Sequence, residues 1–517
     1  MKYADMYYGS LITEMLLHGF TSEMNSFFRS DPRSLFPDTS PWDENLWEYI
    51  LSRSFYLLIK GEYEELENLV PPFPIMEENY VHLYLVEMIK IFGLIRMGRY
   101  DDAKTRLEHV NKLLDTCPPK TQTKLTIIQY TIRSFLNLEE GHVEEALDLI
   151  QKTMNHLGNI HDDAVLISEN FEKYWFAYLK NNAGLANIYL GKYERAEEEL
   201  EEVLELLEGF DYSQIKFFAW MNLAYTYQIT GNYRKAIKNL ENAAEAITIL
   251  GNEGDLPFVL RELGKANFEL GNMDQAEEFY IKAYHQAKEY GSPKNVLERA
   301  NDIHSFYCSQ RMLEKAKHIF EEITNYYFGL PEHNKLDYLY LLIKCRQSLY
   351  FDRFAKILEI KDEVSNMLAQ GKFTDILHRL EARIALITIQ LMEFRITASE
   401  EDIIELISLV KDLINEAQQS HLIEIQLRGE ALLLNLYLER NDFKNAHSVV
   451  QKMEELRNEV NSYRVENMIE EEVTRYKDFL RQREREISTL SKYHSNFYLA
   501  NLEEYISKVS KLVKKFT

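Results

Sequence analysis

Eleven prolines and nineteen glycines are few for 517 residues, and that scarcity excludes an all-β sandwich or barrel with its many tight turns. Cysteine is scarcer still. Cys117, Cys308 and Cys345 are odd in number and far apart, which fits neither a disulfide framework nor a zinc spacing, so buried reduced thiols in a cytoplasmic protein are expected. No run approaches the length of a membrane span: the stretch Leu11 to Leu17 is broken by Thr13 and Glu14, and a signal-peptide pattern is lacking. Basic side chains are outnumbered, 59 against 83 acidic, and a net charge of −24 repels phosphate backbones, so no nucleic-acid partner is expected. What is present is a hydrophobic fraction of 46%, enough for a full core, which excludes disorder as a description of the whole chain. The length suits about two to four ordinary domains or one elongated repeat array.

The prolines punctuate the chain. Pro32, Pro37 and Pro41 mark a linker after an N-terminal helical segment; Pro71, Pro72 and Pro74, then Pro118 and Pro119, mark further breaks. Pro257, Pro293 and Pro331 follow, and no proline lies beyond Pro331. Between these marks apolar residues recur at three and four, as in Leu200, Val203, Leu204 and Leu207, with almost no sustained alternation of period two. The chain reads as all-α.

Those helices repeat. Gly191-Lys-Tyr-Glu-Arg-Ala196, Gly231-Asn-Tyr-Arg-Lys-Ala236, Gly271-Asn-Met-Asp-Gln-Ala276 and Arg311-Met-Leu-Glu-Lys-Ala316 align without gaps at a spacing of 40. The phrase recurs upstream at Gly61, Gly98 and Gly141 and degrades downstream to Asp352-Arg-Phe-Ala355 and Asn441-Asp-Phe-Lys-Asn-Ala446; room remains for one unrecognisable repeat around Ser399 to Leu413. Each position has a physical task. The glycine ends one helix in a left-handed cap. The aromatic two residues on fills the wedge of a helix pair, and the alanine marks the closest approach. Twelve residues before the alanine a second small residue is needed, and Ser54, Ser134, Gly184, Ala224 and Gly264 supply it.

The segment Leu223-Ala-Tyr-Thr-Tyr227, followed by Gly231, Tyr233, Ala236, Leu240 and Ala243, resembles the tetratricopeptide repeat superfamily, in its longer-helix variety. Such long repeats are similar to those of kinesin light chains, MalT-type regulators and bacterial peptide sensors. The resemblance covers about 43–456, is strongest in Tyr178 to Ile323, and weakens where His304, Ile343 and Leu434 replace the small residue and Tyr350 and Asn441 the glycine. It implies an α-solenoid of stacked antiparallel helix pairs, a right-handed superhelix. The expected organisation is a helical cap and proline linker over 1–41, about ten helix pairs over 42–455, and a helical cap or tail over 456–517.

Signatures of catalysis are missing: there is no phosphate loop with Lys-Ser/Thr, no His-Glu-x-x-His and no Cys-x-x-Cys. His156, His161, Asp162 and Asp163 form the tightest metal-like cluster, but a solvated loop suits them better, and the acidic stretch Glu194 to Glu208 reads as the wet face of an amphipathic helix. No enzyme, metal or cofactor is expected. The resemblance implies instead a concave surface lined by the first helix of each pair, at offsets −18, −15, −11, −8 and −7 from the repeat alanine. Those offsets run from apolar Leu85, Met88 and Phe92 to Tyr225 and Phe258, and then to a positive strip of Arg261, Lys265 and Lys344 suited to an acidic group. Asn181, Asn182 and Asn301 offer amides for an extended backbone. The alternative for these polar residues is that they satisfy neighbouring helices and local glutamates. The tail from Leu502 to Phe516, with Lys508, Lys511, Lys514 and Lys515, reads as a solenoid cap or, alternatively, as a basic amphipathic segment that docks on a partner or an anionic membrane surface. The expected function is a scaffold binding a peptide or protein segment in the groove; the alternative is a peptide- or ligand-sensing regulator whose curvature changes on binding.

Overall fold

The computed structural model describes residues 50–493 except 52, 59–61, 70–79, 118, 158–170, 210–213, 252–253, 332–335, 352–353, 374–375, 398–399, 421 and 460–461. The expected N-terminal linker, His161, Asp162 and Asp163 of the metal-like cluster, and the basic tail lie outside the described residues. Every regular element among the described residues is a helix. Residues 50–51 and 53–58 are helical and pair with α1 (Tyr63–Asn68). Then come α2 (Tyr80–Arg96) with α3 (Tyr100–Leu114), α4 (Pro119–Glu139) with α5 (Val143–Leu157), α6 (Phe171–Tyr189) with α7 (Tyr193–Leu206), and α8 (Gln214–Ile229) with α9 (Tyr233–Leu250). The series continues with α10 (Leu256–Glu269) and α11 (Met273–Tyr290), α12 (Pro293–Ser309) and α13 (Leu313–Gly329), α14 (Asp337–Phe351) and α15 (Phe354–Ala369). Next are α16 (Ile376–Thr397) with α17 (Glu400–Gln419), α18 (Ile423–Glu439) with α19 (Phe443–Glu459), and a single α20 (Tyr463–Tyr493). The unrecognisable repeat is the α16/α17 pair.

The turn inside most pairs follows from one residue. Gly98, Gly141, Gly191, Gly231 and Gly271 all have φ between 70° and 82°, where a Cβ is strained. The following N–H then reaches back five residues, as Lys192 to the Asn187 carbonyl at 2.8 Å and Asn232 to the Tyr227 carbonyl at 2.7 Å, satisfying carbonyls that the helix end orphans. At two positions where the glycine is lost the conformation persists: Arg311 has φ 56° and Asn441 φ 55°, each closed by the same bond, whereas at Tyr350 the helix α14 runs on through the position.

The repeat alanines Ala103, Ala146, Ala196, Ala236, Ala276, Ala316 and Ala446 are all fully buried. Along α7 and its C-cap the series Ala196, Leu200, Val203 and Leu207 is sealed at spacings of four, three and four; each large member stabilises by about 1.5–3 kcal/mol. The facing small residue is a steric necessity, because a Cβ on Gly184 would stand 2.6 Å from Leu200 Cγ. A bulkier residue at either face would force α6 and α7 apart.

The chain divides into two compact units. The first holds the described residues up to Asn267 together with Met273–Arg299; the second holds Phe268–Asn272 and the residues from Ala300 on. In the second, large buried residues (His304, Ile343, Leu434) occupy the small-residue phase, and the close approach in α18 moves to Gly429, whose Cβ would meet Ile414 Cγ1 at 2.7 Å. A core of this unit runs from Leu380 to Leu480 across α16 to α20.

Candidate functional site

Arg96 ends α2, and the first helices of the first unit converge on it. Its Nη2 pairs with Asp255 Oδ2 at 3.3 Å just ahead of α10, and its Nε donates to the Tyr63 hydroxyl at 3.4 Å. The guanidinium carbon lies 5.5 Å from the centre of the Phe218 ring on α8. Glu139 at the end of α4 and Tyr178 on α6 both feel its charge. Burial raises the Glu139 carboxyl pKa, against the pull of Arg96 and a 3.3 Å hydrogen bond from Tyr100. Burial likewise raises the pKa of Tyr178, so its hydroxyl stays protonated and available as a donor. A guanidinium with an aromatic face beside it and tyrosines around it is a surface for carboxylates, carbonyls and apolar side chains together.

Next to this convergence the inner face exposes large apolar side chains. Tyr189 is 47% exposed, Tyr225 46%, Ile229 37% and Phe258 49%, and all four stand at the inner offsets of three successive first helices, α6, α8 and α10. Tyr189 and Tyr225 are electrostatic neighbours, and Tyr225 neighbours Glu262. Glu262 itself is buried. Burial works against its charge, but Arg261 and Lys265 beside it, with hydrogen bonds from Arg261 and Gln228, hold its pKa down at about 2. Behind this exposed aromatic rim Glu262 is ionised and held by its neighbours.

The sequence-derived site residues fall into four groups. Tyr225 and Phe258 stand open on the inner face. Arg261 and Lys265 are half-buried beside Glu262, so the positive strip carries its own counter-charge there. The amides lie beneath the surface: Asn181 accepts from Asn222 at 3.1 Å, and Asn182 donates to Ser134 Oγ at 3.2 Å. Asn301 and Lys344 belong to the second unit. There Asn301 is buried and accepts from Arg346 at 2.8 Å, and Lys344 meets both Glu363 oxygens at 2.8 Å. Tyr189 was findable, since it occupies the −7 offset before Ala196, as Arg96 does before Ala103. Glu262 and Asp255 were not, because neither sits at an inner offset.

Profiles of the tetratricopeptide repeat match residues 216–289 and 177–206. Those stretches, which carry α6 to α11 and the exposed aromatic rim, are tetratricopeptide repeats. Among solved structures, the chain is similar to the apo form of the quorum sensor NprR from B. thuringiensis, at 16% identity and TM-score 0.47 over 70% of this chain and 97% of that one. It is also similar to a signal-transduction ATPase (STAND) protein with a tetratricopeptide repeat sensor from Pyrococcus horikoshii, at 15% identity and TM-score 0.46 over 76% of this chain and 56% of that one. A third similar structure is BtubC from P. vanneervenii, at 14% identity and TM-score 0.37, covering 44% of this chain and 88% of that one. Comparison with curated proteins finds no match. Among the described residues, no helix is long and apolar enough to cross a membrane.

Proposed function

We infer that the chain is a non-enzymatic interaction protein that holds a peptide or an extended segment of a partner protein on the inner face of its first unit. The observation that carries this reading is the row of exposed Tyr189, Tyr225, Ile229 and Phe258 on three successive first helices, beside Arg96. Isolated exposed apolar side chains need no explanation, but a contiguous set on a concave wall marks a contact surface. Tyrosine at such a place offers a large apolar area and a hydroxyl for little lost side-chain freedom, which is why it recurs in binding hot spots. Arg261 and Lys265 would favour an acidic group on the partner; Asn181 and Asn182 brace the helices behind the surface. The three buried free thiols, Cys117, Cys308 and Cys345, suit a cytoplasmic setting.

The test is affinity capture of partners from native extract, identified by mass spectrometry, with the wild-type chain and a Tyr225→Ser, Phe258→Ser variant. Both side chains are about half exposed, so the variant should keep the wild-type melting curve while its captured partner falls by about tenfold or more. Ile249→Ser, an exposed position on the second helix α9, is the control and should capture normally. A partner retained by the groove variant, or lost with Ile249→Ser, would overturn the inner-face reading.

A further inference from the structure

Within the second unit a cavity of about 320 Å³ lies between α17, α18 and α19. That is the lower end of the size range of small-molecule pockets, roughly 300–1,000 Å³. Its base is made partly of Ile414, Leu433 and Val449, and it is flanked by Lys411 and Asn415 on α17 and Asn445 and Lys452 on α19. Glu430 on α18 faces it and is only 1% exposed. Its Oε2 has no hydrogen-bond partner in the protein. The depth of Glu430 has a local cause: the neighbouring Gly429 lets α18 approach α17 more closely than any side chain would allow, with Ile414 and Leu413 within 3 Å of where its Cβ would stand.

A buried carboxylate oxygen with no donor is costly, and a packed core would replace it with an apolar residue of similar size. Burial accordingly raises the Glu430 pKa, with Lys452 pulling the other way. Neither lysine is held in an ion pair among the described residues; Lys411 rests 6.0 Å over the Tyr437 ring. The cavity therefore combines one buried acceptor that lacks a donor with two exposed lysines that no ion pair among the described residues holds. Asn415, Asn445 and Ser448 add neutral hydrogen-bonding groups around the rim.

We propose that this cavity is a binding site for a small zwitterion of the α-amino-acid class, with its cationic nitrogen on Glu430 and its carboxylate between Lys411 and Lys452. The ammonium supplies the donors that Oε2 lacks, the carboxylate neutralises the lysines, and the apolar base takes an aliphatic side chain. The site lies wholly in the second unit and stands or falls apart from the inner-face reading of the first.

The test uses the full chain and ligand-observed saturation-transfer NMR with the free proteinogenic L-amino acids as probes, each tested at millimolar concentration. At least one should bind. N-acetylation of that amino acid and amidation of its carboxylate should each weaken binding by about tenfold or more, because each leaves a charged group of the site unmet. Glu430→Gln should make the acetylated and free forms bind alike. Lys411→Gln with Lys452→Gln should do the same for the amidated form; both lysines are exposed, so this variant tests the site even if the Glu430 change disturbs folding. No binding by any amino acid, binding indifferent to acetylation and amidation, or binding unchanged in the lysine variant would each overturn the proposal.

Discussion

Arg96 and Asp255 stand 159 positions apart in the chain and form an ion pair at 3.3 Å. The pair joins the end of α2 to the approach of α10 across the inner side of the first unit, and both side chains are less than a third exposed. Short-range order cannot produce it. It exists because the three intervening helix pairs, α4/α5, α6/α7 and α8/α9, turn progressively until the two ends of the stretch meet.

That relationship is measurable. A double-mutant cycle of Arg96→Ala and Asp255→Ala, followed by urea unfolding, should give a favourable coupling of about 0.5–1 kcal/mol that shrinks at high salt. Zero coupling at low salt would mean that the two ends of the first unit do not meet in solution.

Two glycines should fail for different reasons. Gly184→Ala drives a methyl to 2.6 Å from Leu200 Cγ in a sealed layer and should cost about 1–3 kcal/mol through overpacking. At Gly141 there is open space within 4 Å but φ is 82°, so Gly141→Ala should cost about 1 kcal/mol through backbone strain alone. Gly141→Asn should cost less than Gly141→Ala, since asparagine tolerates the left-handed region, as Asn441 does at the same phase. Unfolding midpoints read by circular dichroism decide this. Equal losses for alanine and asparagine at 141 would refute the strain account.

His304 should make stability depend on pH. Burial pushes its pKa down to about 4, with the nearby Arg346 charge acting the same way and a 3.0 Å hydrogen bond to Gln347 opposing them. In the unfolded chain the ordinary value is about 6.5, so the unfolded state binds more protons between these limits. The stabilisation is therefore complete above about pH 6.5 and is lost as pH falls toward 4, by on the order of 3 kcal/mol. The check is the difference between wild-type and His304→Gln stability across that window, which cancels the titrating carboxylates common to both. A difference that stays constant with pH would show that the imidazole is not held neutral.

The start of α20 is the last test. Ser462 Oγ accepts from the Val465 N–H at 3.0 Å as an N-cap and also bonds Glu269, while Arg464 pairs with Glu269 at 3.4 Å and lies 4.5 Å over the Phe268 ring, all within the second unit. Ser462→Ala removes the cap and one donor to a buried carboxylate, and should cost about 1–2 kcal/mol. Hydrogen exchange of the first two turns of α20 should accelerate with it. Unchanged exchange there would mean the cap carries no weight.

The repeat phase was legible because each of its positions is a local demand on residue type. A left-handed turn selects glycine or, at a cost, Asn441; a close helix approach selects Ala196, Gly184 or Ala224; the inner offsets on successive first helices then follow by counting. Tyr225 and Phe258 came out of that count, and both side chains are about half exposed. What the count could not deliver is which polar side chains on that wall are already spoken for. Asn181 sits at an inner offset, yet its amide oxygen is taken by Asn222, and Arg261 and Lys265 face a carboxylate, Glu262, that no offset singled out. The Arg96–Asp255 pair and the cavity at Glu430 belong to the same class. Each depends on small rotations summed over several helix pairs or on one glycine letting two helices close, so tertiary packing alone decides them, whereas turn and contact residues within a single repeat answer to forces acting over a few positions of the chain.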